Sequence, residues 1–247
     1  MRDSYDRIIR YLRVSVTNRC NLNCVYCSSG SDCSGNTARP AGGVDALPLG
    51  SLCKIIEAAV ELGVDKVRIT GGEPLLREGL VEFVARLASL PGLSTLSMTT
   101  NGTLLAPAAV PLARAGLMSV NLSIDSVDED EYRRLTGGGR LADALAGVEA
   151  ALAAGMSVKL NTVIDADDGR AAERAAYVQS YARSIGAGFQ RIRRYDPASP
   201  KLYDPAFDRP PPCVSCDRLR LLADGRMLAC LHSSAWVKID MDRIHDG

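Results

Sequence analysis

The chain carries no net charge and has no long uncharged apolar run. Lys and Arg together number 29, and so do Asp and Glu, so no overall field draws nucleic acid or an anionic membrane to its surface. No stretch is apolar for long enough to span a bilayer, and the start, Met1-Arg2-Asp3-Ser4-Tyr5-Asp6-Arg7, lacks the apolar segment of a secretion signal. These absences predict a cytoplasmic protein with neither a membrane nor a nucleic acid polymer as partner, in which any anion binding is local. Cysteine, 8 in 247 residues, is too sparse for a small disulfide scaffold. Six of the eight fall instead into two groups spaced like metal ligands, which fits a reducing compartment. Cys33, in a polar stretch, reads as a free thiol, and Cys53, in a helical pattern, as a small packed or surface side chain.

The first group is Arg19-Cys20-Asn21-Leu22-Asn23-Cys24-Val25-Tyr26-Cys27, directly after a strand-like run over residues 12–16. A four-iron cluster offers four irons to thiolates, so Cys20, Cys24 and Cys27 would hold three and leave the fourth open to a small ligand. The bland alternative is zinc, but a structural zinc needs a closed tetrahedron, and no fourth Cys or His is close in this loop. The second group is Cys213-Val214-Ser215-Cys216, then Cys230. Asp224-Gly225, between strand-like residues 218–222 and 226–231, is a hairpin signal that returns Cys230 toward Cys216. Three thiols again imply an open iron, with zinc and His232 as the competing reading.

Between the two groups the apolar period alternates. Helical spacing covers residues 49–62, 77–90, 108–115, 141–154 and 170–185, and strand-like runs cover 66–70, 93–98, 119–124, 158–164 and 189–193. Strand and helix in six units with long crossovers predict an α/β fold, a parallel sheet covered by helices in the manner of a partial barrel. Residues 28–43, with Pro40, read as an irregular excursion. Residues 195–212, with Pro197, Pro200, Pro205 and Pro210 to Pro212, read as a stiffened linker. The chain thus divides into a barrel over 1–194 and, over 195–247, a linker with a small β-hairpin module.

Polar residues cluster at the carboxyl ends of these strands, where ligands collect in parallel α/β folds. In Gly71-Gly72-Glu73-Pro74 the glycines would let the backbone approach a ligand, and Glu73 could accept hydrogen bonds from an ammonium group. Basic residues recurring on strands beside the cysteines point to an anionic ligand. Arg218 and Arg220 alternate with Leu219 and Leu221, so a period of two puts both guanidiniums on one face, expected to look toward the barrel mouth.

The spacing of Cys20, Cys24 and Cys27, with an aromatic residue before the last, resembles the signature of the radical S-adenosylmethionine (SAM) enzymes. The resemblance implies a partial (β/α)6 barrel and SAM chelated on the open iron. Reductive cleavage of SAM then gives a 5′-deoxyadenosyl radical that abstracts hydrogen from a C–H bond. It further implies that Gly71, Gly72, Glu73 and Pro74 hold the methionine amino group and that Tyr26, Thr99, Ser123 and Asn161 are SAM contacts. Arg68 would line the SAM side, and a flavodoxin or ferredoxin-type protein would donate the electron.

Leu12-Arg13-Val14-Ser15-Val16-Thr17, residues 66–77, Thr99-Thr100-Asn101-Gly102 and residues 216–225 are similar to the GTP cyclases of molybdenum-cofactor synthesis, over most of residues 11–231. That resemblance implies a second [4Fe-4S] cluster on Cys213, Cys216 and Cys230 whose open iron binds the purine. It also implies a basic clamp for the triphosphate at Arg13, Lys66, Lys159, Arg191, Arg218 and Arg220. The stretch from Asp196 to Cys213 and the stretch after Cys230 are both shorter than in the cyclases, where these parts help to enclose the substrate. The reading is therefore a radical SAM enzyme with two [4Fe-4S] clusters. Its substrate would be a small anion, a nucleotide, nucleoside or sugar derivative of specialised metabolism. The cyclase itself, a peptide-modifying radical enzyme and a non-enzymatic iron-sulfur electron carrier or sensor are the alternatives, and SAM cleavage separates the last from the others.

Overall fold

The structure, a computed structural model, describes residues 1–3, 6–27, 47–165, 167–194, 203–208, 212–233, 235–241 and 244. The expected excursion over 28–43, with Cys33, and much of the expected linker, including Pro197, Pro200, Pro210 and Pro211, lie outside these residues.

Tyr11-Leu12-Arg13-Val14-Ser15 illustrates why the strands form. Leu12 and Val14 point one way and are fully buried, while Tyr11, Arg13 and Ser15 point the other. Similar alternation builds β1 (Tyr11–Ser15), β2 (Lys66–Thr70), β3 (Thr95–Thr100), β4 (Ser119–Ser123), β5 (Ser157–Ile164) and β6 (Gly188–Arg193). These six are parallel and adjacent in chain order. The crossovers carry α1 (Leu49–Glu61), α2 (Leu80–Ala88), α3 (Leu105–Arg114), α4 (Glu129–Thr136), α5 (Leu141–Ala153) and α6 (Ala171–Ser184). Ile56, Phe83, Leu87, Leu112, Val148 and Val178 from the helices join Leu12, Val67, Met98, Leu122 and Leu160 from the sheet in one buried core. Each such burial stabilises by about 1.5–3 kcal/mol against the entropy of ordering the chain.

Three local features differ from the sequence pattern. α2 begins at Leu80 because Pro74–Leu76 forms a separate 3-10 turn and Gly79, at φ 74, adopts a left-handed conformation before the helix. α3 begins at Leu105, with Pro107 in its first turn, where a missing N–H breaks no intrahelical bond. α4 is too charged for an apolar period to register. It forms because Asp128 caps it, accepting from the Glu131 N–H at 2.9 Å, with Glu129, Asp130 and Glu131 in the first turn and Arg133 and Arg134 in the last.

Beyond the linker, β7 (Arg218–Leu221) pairs in parallel with the free side of β1. Asp224-Gly225, with Gly225 at φ 86, then turns the chain into antiparallel β8 (Arg226–Leu228). A two-residue β9 (Val237–Lys238), too brief for any alternation to reveal, extends the sheet to nine strands among the described residues. The hairpin module therefore continues the sheet of the barrel, which stays open. At the β6 edge, the Asp208 N–H donates to the Arg191 carbonyl at 3.1 Å and the Asp208 carboxylate accepts from the Arg191 N–H at 2.7 Å, covering exposed backbone groups. Among the described residues no helix is long and apolar enough to cross a membrane.

Candidate active site

At the carboxyl ends of β1 and β2 two loops are laced together. The Gly72 N–H donates to the Thr17 carbonyl at 2.8 Å, and the Glu73 N–H to the Arg19 carbonyl at 2.8 Å. A Cβ on Gly72 would stand 2.1 Å from the Arg19 carbonyl oxygen, and one on Gly71 would stand 2.5 Å from that of Thr17. The glycines are thus required first by the approach of one loop to the other, where the sequence suggested approach to a ligand. On its other flank the cysteine loop pairs with the end of α4, the Asn23 and Val25 N–H groups donating to the Thr136 and Leu135 carbonyls at 3.0 and 2.9 Å. Gly137, at φ 68, admits Asn23 there, since a Cβ would lie 2.6 Å from the Asn23 carbonyl oxygen.

Held on both flanks, Cys20, Cys24 and Cys27 form no disulfide among the described residues, the first being exposed and the others half-buried. Burial pushes Cys24 up to about 12, helped by Asp125 and the neighbouring thiols, and burial also raises Cys20. Such thiols keep their protons until a metal displaces them. Among the described residues no three His, Cys, Asp or Glu side chains converge on a single-ion site.

Tyr26 donates its hydroxyl hydrogen bond to Asp125, just past β4, and Asp125 also accepts from the Val163 N–H at 2.6 Å. Burial pushes Asp125 up to about 6. The Tyr26 ring, expected at SAM, thereby becomes one wall of a cavity lined also by Val25, Leu135, Val163, Asp165 and Arg194. Glu73, expected at the methionine ammonium, is buried among protein donors. It is 0% exposed, and its carboxylate accepts from the Thr100 hydroxyl at 2.7 Å, the Asn101 N–H at 2.8 Å and the Leu75 N–H at 3.1 Å. Burial raises its pKa, and these three donors oppose the rise.

Strand register gathers the remaining residues on the face turned away from the helices. Tyr11, Arg13 and Ser15 stand beside Lys66, Arg68 and Thr70 on one side, with Arg218 beside Tyr11 and Arg220 beside Arg13 on the other. The polar face continues through Ser97 and Thr99, Asn121 and Ser123, Lys159 and Asn161, and Gln190. Four inaccessible atoms on it have no hydrogen-bond partner, namely Nε of Arg13, Nε of Arg218, Oγ1 of Thr99 and Oδ1 of Asn161. Buried polar atoms are nearly always paired, and all four belong to residues expected to meet SAM or substrate.

The guanidiniums are crowded. Burial and then Arg220 push Arg13 down to about 9, so it is still protonated at neutral pH, and burial and then Arg218 lower Arg220. The Tyr11 ring, 5.7 Å from both the Arg68 and the Arg218 guanidinium carbons, offsets part of the repulsion. A group of cations this close matches an anionic ligand. Lys66 and Lys159 share the face as exposed side chains. Arg191, expected in the clamp, stands on the opposite face of β6. It is in register with Thr162 on the helix side, while Gln190 takes the inward place beside Asn161.

The second cysteine group borders the same face. Cys213–Ser215 is a short 3-10 turn, and the Cys216 N–H donates to the Cys213 carbonyl at 3.1 Å. Cys216 and Cys230 lie within electrostatic reach of Arg220, and Arg7 donates to the Cys213 carbonyl at 3.2 Å. Sequence patterns do not single out Asn101, Asp125 or Gln190. The first two stand in the strand-end clusters, and Gln190 follows from carrying the period of two across from Asn161.

An open parallel sheet whose polar face ends in a three-thiol loop, with orphaned buried atoms beside it, offers thiolate ligands for a metal centre and a ligand site at the strand ends. Residues 14–168 match the family described as Radical SAM superfamily. The protein named GTP 3',8-cyclase of Pelotomaculum thermopropionicum is 46% identical over 171 residues, covering 66% of this chain and 49% of the relative. The protein of the same name from Thermodesulfovibrio yellowstonii is 34% identical over 290 aligned positions, covering 97% of this chain and 87% of the relative. This chain spans about half the length of the first relative. It belongs to the radical SAM superfamily and, within it, to the family of the proteins named GTP 3',8-cyclase. The crystal structure of Streptococcus suis SuiB bound to S-adenosylmethionine matches with a TM-score of 0.70 over 91% of this chain and 60% of that one. At 16% identity the match shows a common fold. Membership of this superfamily implies SAM and a [4Fe-4S] cluster as cofactors.

Proposed function

We propose that the chain is a GTP 3',8-cyclase. Cys20, Cys24 and Cys27 hold the first cluster, Cys213, Cys216 and Cys230 a second, and the nucleotide lies between them on the polar sheet face. When bound, the first cluster supplies the electron that cleaves SAM. Thr99, Ser123, Asn161 and Arg68 serve the SAM side, with Tyr26 and the Gly71-Gly72 backbone. Arg13, Arg218 and Arg220, with Lys66 and Lys159, serve the phosphates. A flavodoxin or ferredoxin-type donor in the cytoplasm reduces the cluster. Residues 1–194 form the barrel with the SAM contacts and part of the phosphate clamp, and 195–247 the linker and the second-cluster module with the rest of the clamp.

The observation that carries this reading is the pair of unpartnered Nε atoms on Arg13 and Arg218 within a cationic group that Arg220 extends toward the second cysteines. Guanidinium forks grip phosphate oxygens bidentately, and a multiply charged triphosphate can satisfy several at once. The relatives' names favour this reading over specialised metabolism. A second reading, another small anionic substrate, is favoured by one observation. The Thermodesulfovibrio relative aligns over 290 positions and this chain has 247 residues, so the relative carries segments that this chain lacks.

Anaerobic reconstitution should give about eight irons per chain, about four for each cluster. With SAM and a strong reductant, added GTP should stimulate formation of 5′-deoxyadenosine. Arg220→Lys should raise the Kd for GTP about tenfold, about 1.4 kcal/mol, with SAM affinity unchanged. If GTP neither binds nor stimulates while another anionic metabolite does both, the second reading replaces the first.

A further inference from the structure

We propose that Glu73 and Asn101 are positioning residues of the three-cysteine loop. In this arrangement the buried Glu73 carboxylate seats the Asn101 backbone, and the Asn101 amide holds Cys20 and Asn21, leaving the ammonium of SAM to other groups. The inference uses the SAM and cluster chemistry of the superfamily and is independent of which substrate is bound.

The geometry runs in a closed circuit. The Glu73 N–H is tied to the Arg19 carbonyl at 2.8 Å, immediately before Cys20. The Glu73 carboxylate accepts from the Asn101 N–H at 2.8 Å and from the Thr100 hydroxyl at 2.7 Å. The Asn101 side chain then turns back, its Nδ2 donating to Asn21 Oδ1 at 2.9 Å and lying 3.9 Å from Cys20 Sγ in a long N–H···S contact. Its Oδ1 accepts from the Thr103 N–H and hydroxyl at 3.0 and 2.7 Å, and Asn21 Nδ2 donates to the same Thr103 hydroxyl at 2.9 Å. Asn101 is therefore unable to rotate without breaking bonds at both ends of its amide.

Glu73 is poorly placed for the alternative role. An arriving ammonium would need an accessible carboxylate oxygen, yet the residue is 0% exposed and both oxygens already accept from the protein. What a neutral donor against a ligating sulfur can do is favour the more negative, reduced cluster, since hydrogen bonds to the sulfurs are one of the levers that set a cluster's potential.

Both residues are tested on chains reconstituted with the first cluster, without any substrate. Asn101→Ala should shift the midpoint potential, followed by electron paramagnetic resonance, to a more negative value. The expected shift leaves about threefold fewer reduced clusters at a fixed applied potential, about 28 mV at 59 mV per tenfold change. Asn101→Asp keeps the acceptor for Thr103 but sets a negative oxygen against the sulfur, and should shift it further the same way. If the alanine variant loads poorly, the aspartate variant carries the measurement. Glu73→Gln should leave the Kd for SAM within about threefold on chains that hold iron, whereas loss of a direct charge-assisted bond would weaken it about tenfold or more. A Glu73→Gln chain that binds no cluster also supports positioning, because an ammonium acceptor leaves the cysteines untouched. A midpoint that does not move in either Asn101 variant overturns the proposal, as does a loss of SAM affinity beyond that limit.

Discussion

Alanine at Gly72 should unlace the cysteine loop from β2. The added Cβ would stand 2.1 Å from the Arg19 carbonyl oxygen and 2.5 Å from its carbon, and these are backbone atoms that cannot rotate away. The loops must separate, which removes the bonds from the Gly72 and Glu73 N–H groups to the Thr17 and Arg19 carbonyls. Two such bonds contribute about 2 kcal/mol net, and overpacking adds about 1–3 kcal/mol. The expected loss is about 3–5 kcal/mol, a large share of the roughly 5–15 kcal/mol that holds a folded chain together. Gly50, in α1, supplies the control, because a Cβ there meets nothing within 4 Å. Gly50→Ala should stabilise by about 0.5–1 kcal/mol through helix propensity. Urea unfolding of cluster-free protein, followed by circular dichroism, measures both. A Gly72→Ala midpoint equal to that of the unaltered protein would refute the lacing, and would return the glycine to the role of admitting a ligand.

Two further outcomes follow from the charged groups. Arg13→Met should raise the Tm of the unliganded chain, by about 1–2 kcal/mol of stability, and abolish triphosphate binding. The buried Arg13 has its pKa lowered to about 9, so its charge opposes folding throughout neutral pH and the penalty eases as pH rises through that value. Differential scanning fluorimetry with and without tripolyphosphate checks it, and an unchanged or lower Tm would count against an uncompensated cation. Arg174 is buried and pairs with Asp168 at 2.6 Å and Glu131 at 3.0 Å. Arg174→Met should cost about 2–3 kcal/mol, below the 3–5 of a fully enclosed pair because both carboxylates keep some solvent. The Arg174 hydrogen bond holds Asp168 below its ordinary value of 3.8. That contribution is present above the ordinary value and is lost as pH falls through the lowered one, so acid titration of stability should be shallower in the variant.

Much of the fold could be read directly. The order of strands and helices follows from local periods of two and 3.6, which the side chains of Leu12 and Val14 or Leu52 and Ile56 satisfy wherever the rest of the chain lies. The same is true of the paired arginines on β7, which alternate with leucines, and of the two cysteine triplets, which are properties of spacing. α4 escaped this reading because its evidence is a cap and a charge gradient, with few apolar residues to set a period.

The sequence by itself therefore determined the α/β class, the thiol loops, the hairpin and the chemistry on offer. Tertiary structure decided what that chemistry faces. Gly71 and Gly72 serve a neighbouring loop, Glu73 turns inward to residues 27 and 28 positions away, and Arg191 points to the helix side while Gln190 faces inward. Each of these depends on strand register or on which distant backbone donor reaches a buried carboxylate. A local pattern records neither, because both are set only when strands far apart in sequence are brought side by side.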